Sequence, residues 1–223
     1  MSYFRTFLQE LRVFACKSGS TAHVAVLFTV VIGTALFVLP AECTVKVMPC
    51  LFWVCSVSVM QISIRAAFEE EYNSGALEQI LIQSDLPEVI VFLKILAHWV
   101  CVAVPISIVA IVTDCIVLGG TMSHALMLGA ALAASLLVVN FMSAVGHTLV
   151  LGGEGGLVIA QLLIFPIVVP VVIYFHIFLQ ALQNIEAAPN GYIMVLLGMG
   201  IMCLIPISIF FVSYAIKLAL EQN

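Results

Sequence analysis

Charge is scarce in this sequence. Of its 223 residues only 9% are Asp, Glu, Lys or Arg, where an ordinary soluble domain carries roughly 25%. So few charges cannot build a polar surface, and with a mean hydropathy of +1.25 the solvent that fits is lipid. The seven basic and twelve acidic side chains are scattered, which excludes the basic stripe that a nucleic-acid partner demands. No glycine is followed by lysine, so no G-x-x-x-x-G-K-[ST] loop can cradle ATP phosphates. ATP-driven work therefore needs another subunit, and the chain is not expected to be an enzyme. The middles of the apolar runs hold no carboxylate or cation, which counts against a proton- or ion-coupled pump. The cysteines at 16, 43, 50, 55, 101, 115 and 203 form no C-x-x-C pair and read mostly as small core residues. Cys43 and Cys50 flank an expected loop and could pair in an oxidising compartment.

Long apolar runs are what the sequence has in abundance, with 64% of residues hydrophobic. Crossing a hydrocarbon core roughly 30 Å thick takes about 20 residues, and six runs qualify, at about 21–39, 47–67, 89–118, 123–151, 157–180 and 192–218. Pro40-Ala41-Glu42 stops the first. Arg65 closes the second, where its stem can snorkel, while Lys94 and Asp114 lie near the two ends of the third. Pro166 and Pro170 delete two backbone hydrogen bonds from the fifth run and predict a kink; Pro105 and Pro206 act likewise in the third and sixth. The chain thus reads as a single all-α membrane domain over 1–223. Basic residues favour the cytoplasmic side. A cytoplasmic N-terminus puts Arg5, Arg12, Lys17, Arg65, Lys94 and Lys217 there and leaves only Lys46 outside; six spans return the C-terminus to the same side. The Leu151 to Gly156 loop, with Glu154 and no basic residue, fits this least well.

Two polar segments interrupt the apolar runs. Residues 1–20 carry spread charges and no cleavage-site pattern, so they are expected to stay in the mature chain. Tyr3, Phe4, Phe7, Leu8, Leu11 and Phe14 recur there at helical spacing, with Arg5, Gln9, Arg12 and, less cleanly, Glu10 away from them. This is an amphipathic interfacial helix, either a plain membrane anchor or one that also docks a cytoplasmic partner. Residues 69–87, EEEYNSGALEQILIQSDLP, open with three glutamates and the turn signal Asn73-Ser74-Gly75. A short helix over Ala76 to Gln83 should follow, with Leu77, Ile80 and Leu81 on one face, and Leu86-Pro87 should end it. Alone, it is compatible with a simple surface turn. His98, Trp99, Asp114, Asn140, His147 and His176 are polar features within the runs. No two histidines stand at i, i+3 or i+4, so bonding to a neighbouring helix is the plainer reading and no metal site is expected; His98 and His176, with Trp99, are candidates for haem or partner contact.

The run Phe68-Glu69-Glu70-Glu71, then Ser74-Gly75-Ala76-Leu77-Glu78-Gln79-Ile80, Leu86-Pro87 and Lys94-Ile95-Leu96-Ala97-His98-Trp99 closely resembles the CcmB family, the haem exporter B permeases of cytochrome c maturation. Phe7-Leu8-Gln9-Glu10-Leu11-Arg12 and the spacing of the spans resemble it too, so the likeness covers essentially the whole chain. The resemblance implies an ABC-2-type permease of the bacterial inner membrane. Its partners would be a CcmA-like ATPase and the haem-handling CcmC-, CcmD- and CcmE-like proteins, with two permease copies per complex. It implies no tightly bound cofactor, haem as a handled ligand, and ATP supplied through the partner. The short cytoplasmic helix between spans two and three would be the coupling helix seated in the ATPase, with Glu69, Glu70, Gly75, Leu77, Glu78 and Gln79 in that role. The complex would export haem or release a haem-loaded chaperone; the competing readings are a non-transporting scaffold for haem delivery and a haem-binding enzyme built on His98 and His176. Gly152-Gly153-Glu154-Gly155-Gly156 departs from the basic loop that members of the family often carry, which argues against a second ATPase contact there.

Overall fold

Inside hydrocarbon every backbone N–H and C=O must find a partner within the protein, and a chain with apolar runs this long meets that demand as helices. The computed structural model describes residues 3–16, 18–83, 86–151, 156–183, 198 and 205–216, and among them all regular structure is helical. The order is α1 (Tyr3–Cys16), α2 (Ser18–Val38), α3 (Ala41–Asn73), α4 (Ala76–Gln83), α5 (Pro87–Ile116), α6 (Met122–Thr148) and α7 (Gly156–Gln183); α8 is described over Ile205–Ile216. Val47–Asn73, Pro87–Ile116 and Met122–Thr148 are each long and apolar enough to cross a membrane. Ile159–Pro166 and Val168–Phe178 make a fourth if taken together, bent by 44°. That bend is the kink expected of Pro166 and Pro170. Ala25–Val38 and Ile205–Ile216 are shorter apolar helices. The start of the sixth expected span, Lys217 and most of the Gly152–Gly156 loop lie outside the described residues.

α6 is the centre of the bundle and packs against α3, α5 and α7. Two glycines let its neighbours close in: a Cβ on Gly129 would meet the Ile111 side chain of α5, and one on Gly146 would lie 2.5 Å from Ile164 Cγ1 of α7. Phe28, Phe52, Trp53, Met60, Ile106 and Leu132 anchor one buried cluster. A second gathers Ile64, Phe68, Leu77, Ile95, Phe141 and Val212, bringing α4 into the same core as α3, α5, α6 and α8.

Two boundaries differ from the sequence expectation. The first loop is only Leu39-Pro40, because Pro40 in an extended conformation (φ −58°, ψ 140°) opens α3 at once. Cys43 and Cys50 therefore sit on one helix, free and exposed. Seven residues of helical rise separate them by about 10 Å, beyond disulfide reach. More consequentially, α3 does not stop near Ala67 but continues through Glu69, Glu70 and Glu71 to Asn73. No breaker intervenes, glutamate is a good helix former, buried Phe68 holds the turn to the core, and Arg65 Nη2 pairs with Glu69 Oε1 one turn on at 2.7 Å.

Candidate functional site

At 33 residues α3 is about 50 Å long, well beyond a hydrocarbon core of roughly 30 Å. Its glutamate-bearing last turns suit the polar layer and not the hydrocarbon. The corner that follows is tight. Ser74 N donates to Glu70 O at 3.0 Å, and Gly75 N to Tyr72 O at 3.1 Å. Gly75 adopts φ +74°, a left-handed conformation costly to any residue with a Cβ. A Cβ there would meet nothing within 4 Å, so glycine is required by the backbone and not by space. α4 occupies the expected residues. Leu77, 2% exposed, plugs into the core beside Ile64 and Phe68, whereas Glu69, Glu70, Glu78 and Gln79 all face outward. The side chains of Ile80 and Leu81, expected on Leu77's face, lie outside the described residues.

Beneath this corner is a buried charge node. Lys94, near the start of α5 and 3% exposed, places Nζ 3.2 Å from Glu10 Oε2 of α1 and against Glu71 Oε1 of α3. The Phe14 ring lies over the same ammonium, 5.5 Å to its centroid. One cation thus clamps the amphipathic helix to the last turn of α3, and α1 packs along α5. The sequence carried the signal in its phase. Ile64, Phe68 and Glu71 follow one another at i, i+4 and i+7, so Glu71 belongs to α3's buried stripe while Glu69 and Glu70 do not. Glu10 is the α1 charge least cleanly separated from its apolar face.

One turn deeper on α5, His98 is fully buried and joins three helices. Asn140 Nδ2 donates to Ile95 O at 2.8 Å, so its Oδ1 is left to accept from His98 Nδ1 at 2.9 Å. His98 Nε2 then accepts from the Ser63 hydroxyl of α3, also at 2.9 Å. Both ring nitrogens are engaged, and Phe14 packs edge-on against the ring. Trp99, next in sequence, donates Nε1–H to Ala133 O of α6 at 3.0 Å. His176 is exposed on α7. The structure therefore brings His98 and Trp99 to the α5–α6 contact and leaves His176 elsewhere on α7's surface. Asn140, noted in the sequence only as polar, proves to be the hub.

The far end of α5 carries an acid–imidazole contact. Asp114 Oδ2 lies 3.0 Å from His124 Nδ1 of α6, across a turn in which Gly119 takes φ +68° and the Thr121 side chain caps α6 by accepting from His124 N at 3.3 Å. Asp114 and Lys94, the two charges of the third expected span, thus mark its opposite ends.

Comparison with known proteins finds one family and relatives that share one name. The family model described as "CcmB protein" matches residues 1–221. A protein of Haemophilus influenzae named "Heme exporter protein B" is 25% identical over 179 residues, 79% of either chain. Its namesake in Pseudomonas aeruginosa is 27% identical over 197 residues, 82% of either chain. The Escherichia coli K12 protein of that name is 30% identical over 115 residues, 49% of this chain and 51% of its own.

Proposed function

This chain belongs to the CcmB family, and from that premise we propose that it is the permease subunit of an ABC-type complex of the bacterial inner membrane that serves c-type cytochrome maturation. It is not the enzyme of that complex; ATP is hydrolysed by a separate CcmA-like subunit. Its relatives are named for heme export, and haem is the ligand this chain handles with CcmC-, CcmD- and CcmE-like partners, by export or by release of the haem-loaded chaperone. The domain spans residues 1–223 with six crossings, both termini cytoplasmic, and two copies serve one complex.

The observation that carries the reading is the α3–α4 corner. A span that continues as one rigid helix beyond the bilayer, turns at a glycine and presents exposed Glu78 and Gln79 on a short helix has the form of a lever. Motion imposed on α4 passes to α3 through the buried Leu77 and to α1 and α5 through Lys94. In this role Glu70, Glu78 and Gln79 meet the ATPase directly, Glu69, paired with Arg65, borders that contact, and Gly75 and Leu77 set the corner. His98, Trp99 and His176 stay candidates for haem or partner contact, His98 only in a state that opens its present hydrogen bonds.

The test is affinity purification in mild detergent with identification and counting of the co-purifying chains. An ATPase is expected with the native chain; Glu78→Lys should weaken its association, and Gly75→Pro, whose ring cannot adopt φ +74°, should uncouple it. If both variants retain ATPase association and cytochrome c assembly, the coupling proposal fails. Assembly that persists while ATP turnover no longer matters would favour the scaffold reading.

A further inference from the structure

At the end of the bundle that holds α4 there is a cleft of about 390 Å³, lined by Gln61, Ile62, Arg65, Ala66 and Glu69 of α3, His147 of α6 and Gln161 of α7. We propose that this cleft is a phospholipid site, selective for a headgroup that carries both a phosphate and a primary ammonium. Its volume falls within the range of small-molecule sites. His147 lines it from the last turn of α6 and is 3% exposed, yet its Nε2 has no hydrogen-bond partner among the described residues. Buried polar atoms are nearly always satisfied, so an unpaired ring nitrogen in a cleft-lining residue leaves a polar demand that a headgroup drawn into the cleft would answer.

The lining says what kind of group. Arg65 and Glu69, partly exposed and paired at 2.7 Å, offer one positive and one negative charge side by side. A zwitterion satisfies both: the phosphate takes the planar guanidinium fork and the ammonium donates to the carboxylate. A purely anionic headgroup would leave Glu69 against like charge. The neutral Gln61 and Gln161 amides add donors and acceptors without disturbing that balance. Depth agrees, because the last turns of α3 and α6 and the early turns of α7 all reach the bundle end where helices leave the hydrocarbon. Ile62, exposed, lines the cleft itself, and Phe165, one helical turn beyond Gln161 on α7, is exposed too, so apolar surface is available there to acyl chains. A lipid held there would tie the last turns of α3, from which α4 hangs, to the start of α7.

Native mass spectrometry of the full chain released from nanodiscs of equimolar phosphatidylethanolamine and phosphatidylglycerol tests this. One retained phosphatidylethanolamine per chain is expected, with Arg65→Gln and Glu69→Gln each lowering its occupancy by about tenfold, as loss of one charge-assisted bond would. Gln161→Leu, at an exposed position, should lower it less while leaving the helical circular dichroism unchanged, which separates lost binding from lost fold. Phosphatidylcholine, whose quaternary nitrogen cannot donate, should be retained poorly. Equal retention of phosphatidylglycerol, undiminished retention in Arg65→Gln and Glu69→Gln, displacement by soluble glycerophosphoethanolamine, or a haem adduct in place of lipid would each overturn the assignment.

Discussion

Replacing Lys94 by methionine keeps the length of the side chain and removes the only cation at the contact of α1, α3 and α5 that the described residues show. The side chains of Lys94, Glu71 and Glu10 are 3%, 9% and 14% exposed, so solvent screens this node little. Removing one partner of a buried ion pair leaves uncompensated charge and costs about 3–5 kcal/mol. Lys94→Met should lose an amount in that range, because two carboxylates then lose the ammonium they share. Glu10→Gln, at the more exposed arm, should lose about 1–2 kcal/mol, nearer a single charge-assisted hydrogen bond. Lys94→Met combined with Glu71→Gln should recover stability relative to Lys94→Met alone, since the second change removes a buried carboxylate that has lost its ammonium; the coupling in the cycle completed by Glu71→Gln alone is the quantity of interest. Helical circular dichroism against denaturing detergent in mixed micelles measures the native chain, the Glu10→Gln, Lys94→Met and Glu71→Gln single variants and the Lys94→Met/Glu71→Gln double variant. Lys94→Met within about 1 kcal/mol of the native chain, or a double variant no more stable than the single, would refute the clamp, because one partner of a desolvated pair cannot be removed so cheaply.

Other outcomes follow from the same geometry. His98→Leu should destabilise the bundle by about 1–3 kcal/mol in the same assay, since Asn140 Oδ1 and the Ser63 hydroxyl lose their shared partner inside the core. Gly146→Val should cost about 1–3 kcal/mol by overpacking, as the new side chain meets Ile164 and pries α7 from α6; a neutral result would mean that the two helices do not approach there. Cys43 and Cys50 should both react with maleimide without prior reduction. If the α4 end is cytoplasmic, Cys43 should label from outside intact spheroplasts and Ser74→Cys only after lysis; the reverse pattern would invert the proposed orientation.

Much of this was legible in the sequence because the deciding forces are local. Apolar run length sets the helices, the turn at Asn73-Ser74-Gly75 and the Pro87 start bracket α4 at Ala76–Gln83, and Pro166 with Pro170 gives the bend in α7. Charge alone does not mark the end of α3, because three glutamates are good helix formers and one of them, Glu71, lies on the buried stripe. What no linear reading supplies is pairing across long separations. Lys94 reaches Glu10 from 84 residues away, and His98 reaches Asn140 from 42; each residue alone looks like an ordinary interfacial charge or a lone polar group. The Arg65, Glu69 and His147 cleft is of the same kind, assembled from the ends of three helices that only the tertiary fold brings together.

The central claim is that α4 is the surface on which an ATPase acts, and a photo-crosslinking amino acid at Gln79, exposed on α4, tests it most directly. In membranes containing the whole complex, illumination should join this chain to the ATPase subunit, with a yield that changes between ATP-bound and nucleotide-free states and falls sharply when Gly75→Pro is added. Crosslinks from Gln79 that never include the ATPase, while the complex remains assembled and active, would contradict the account.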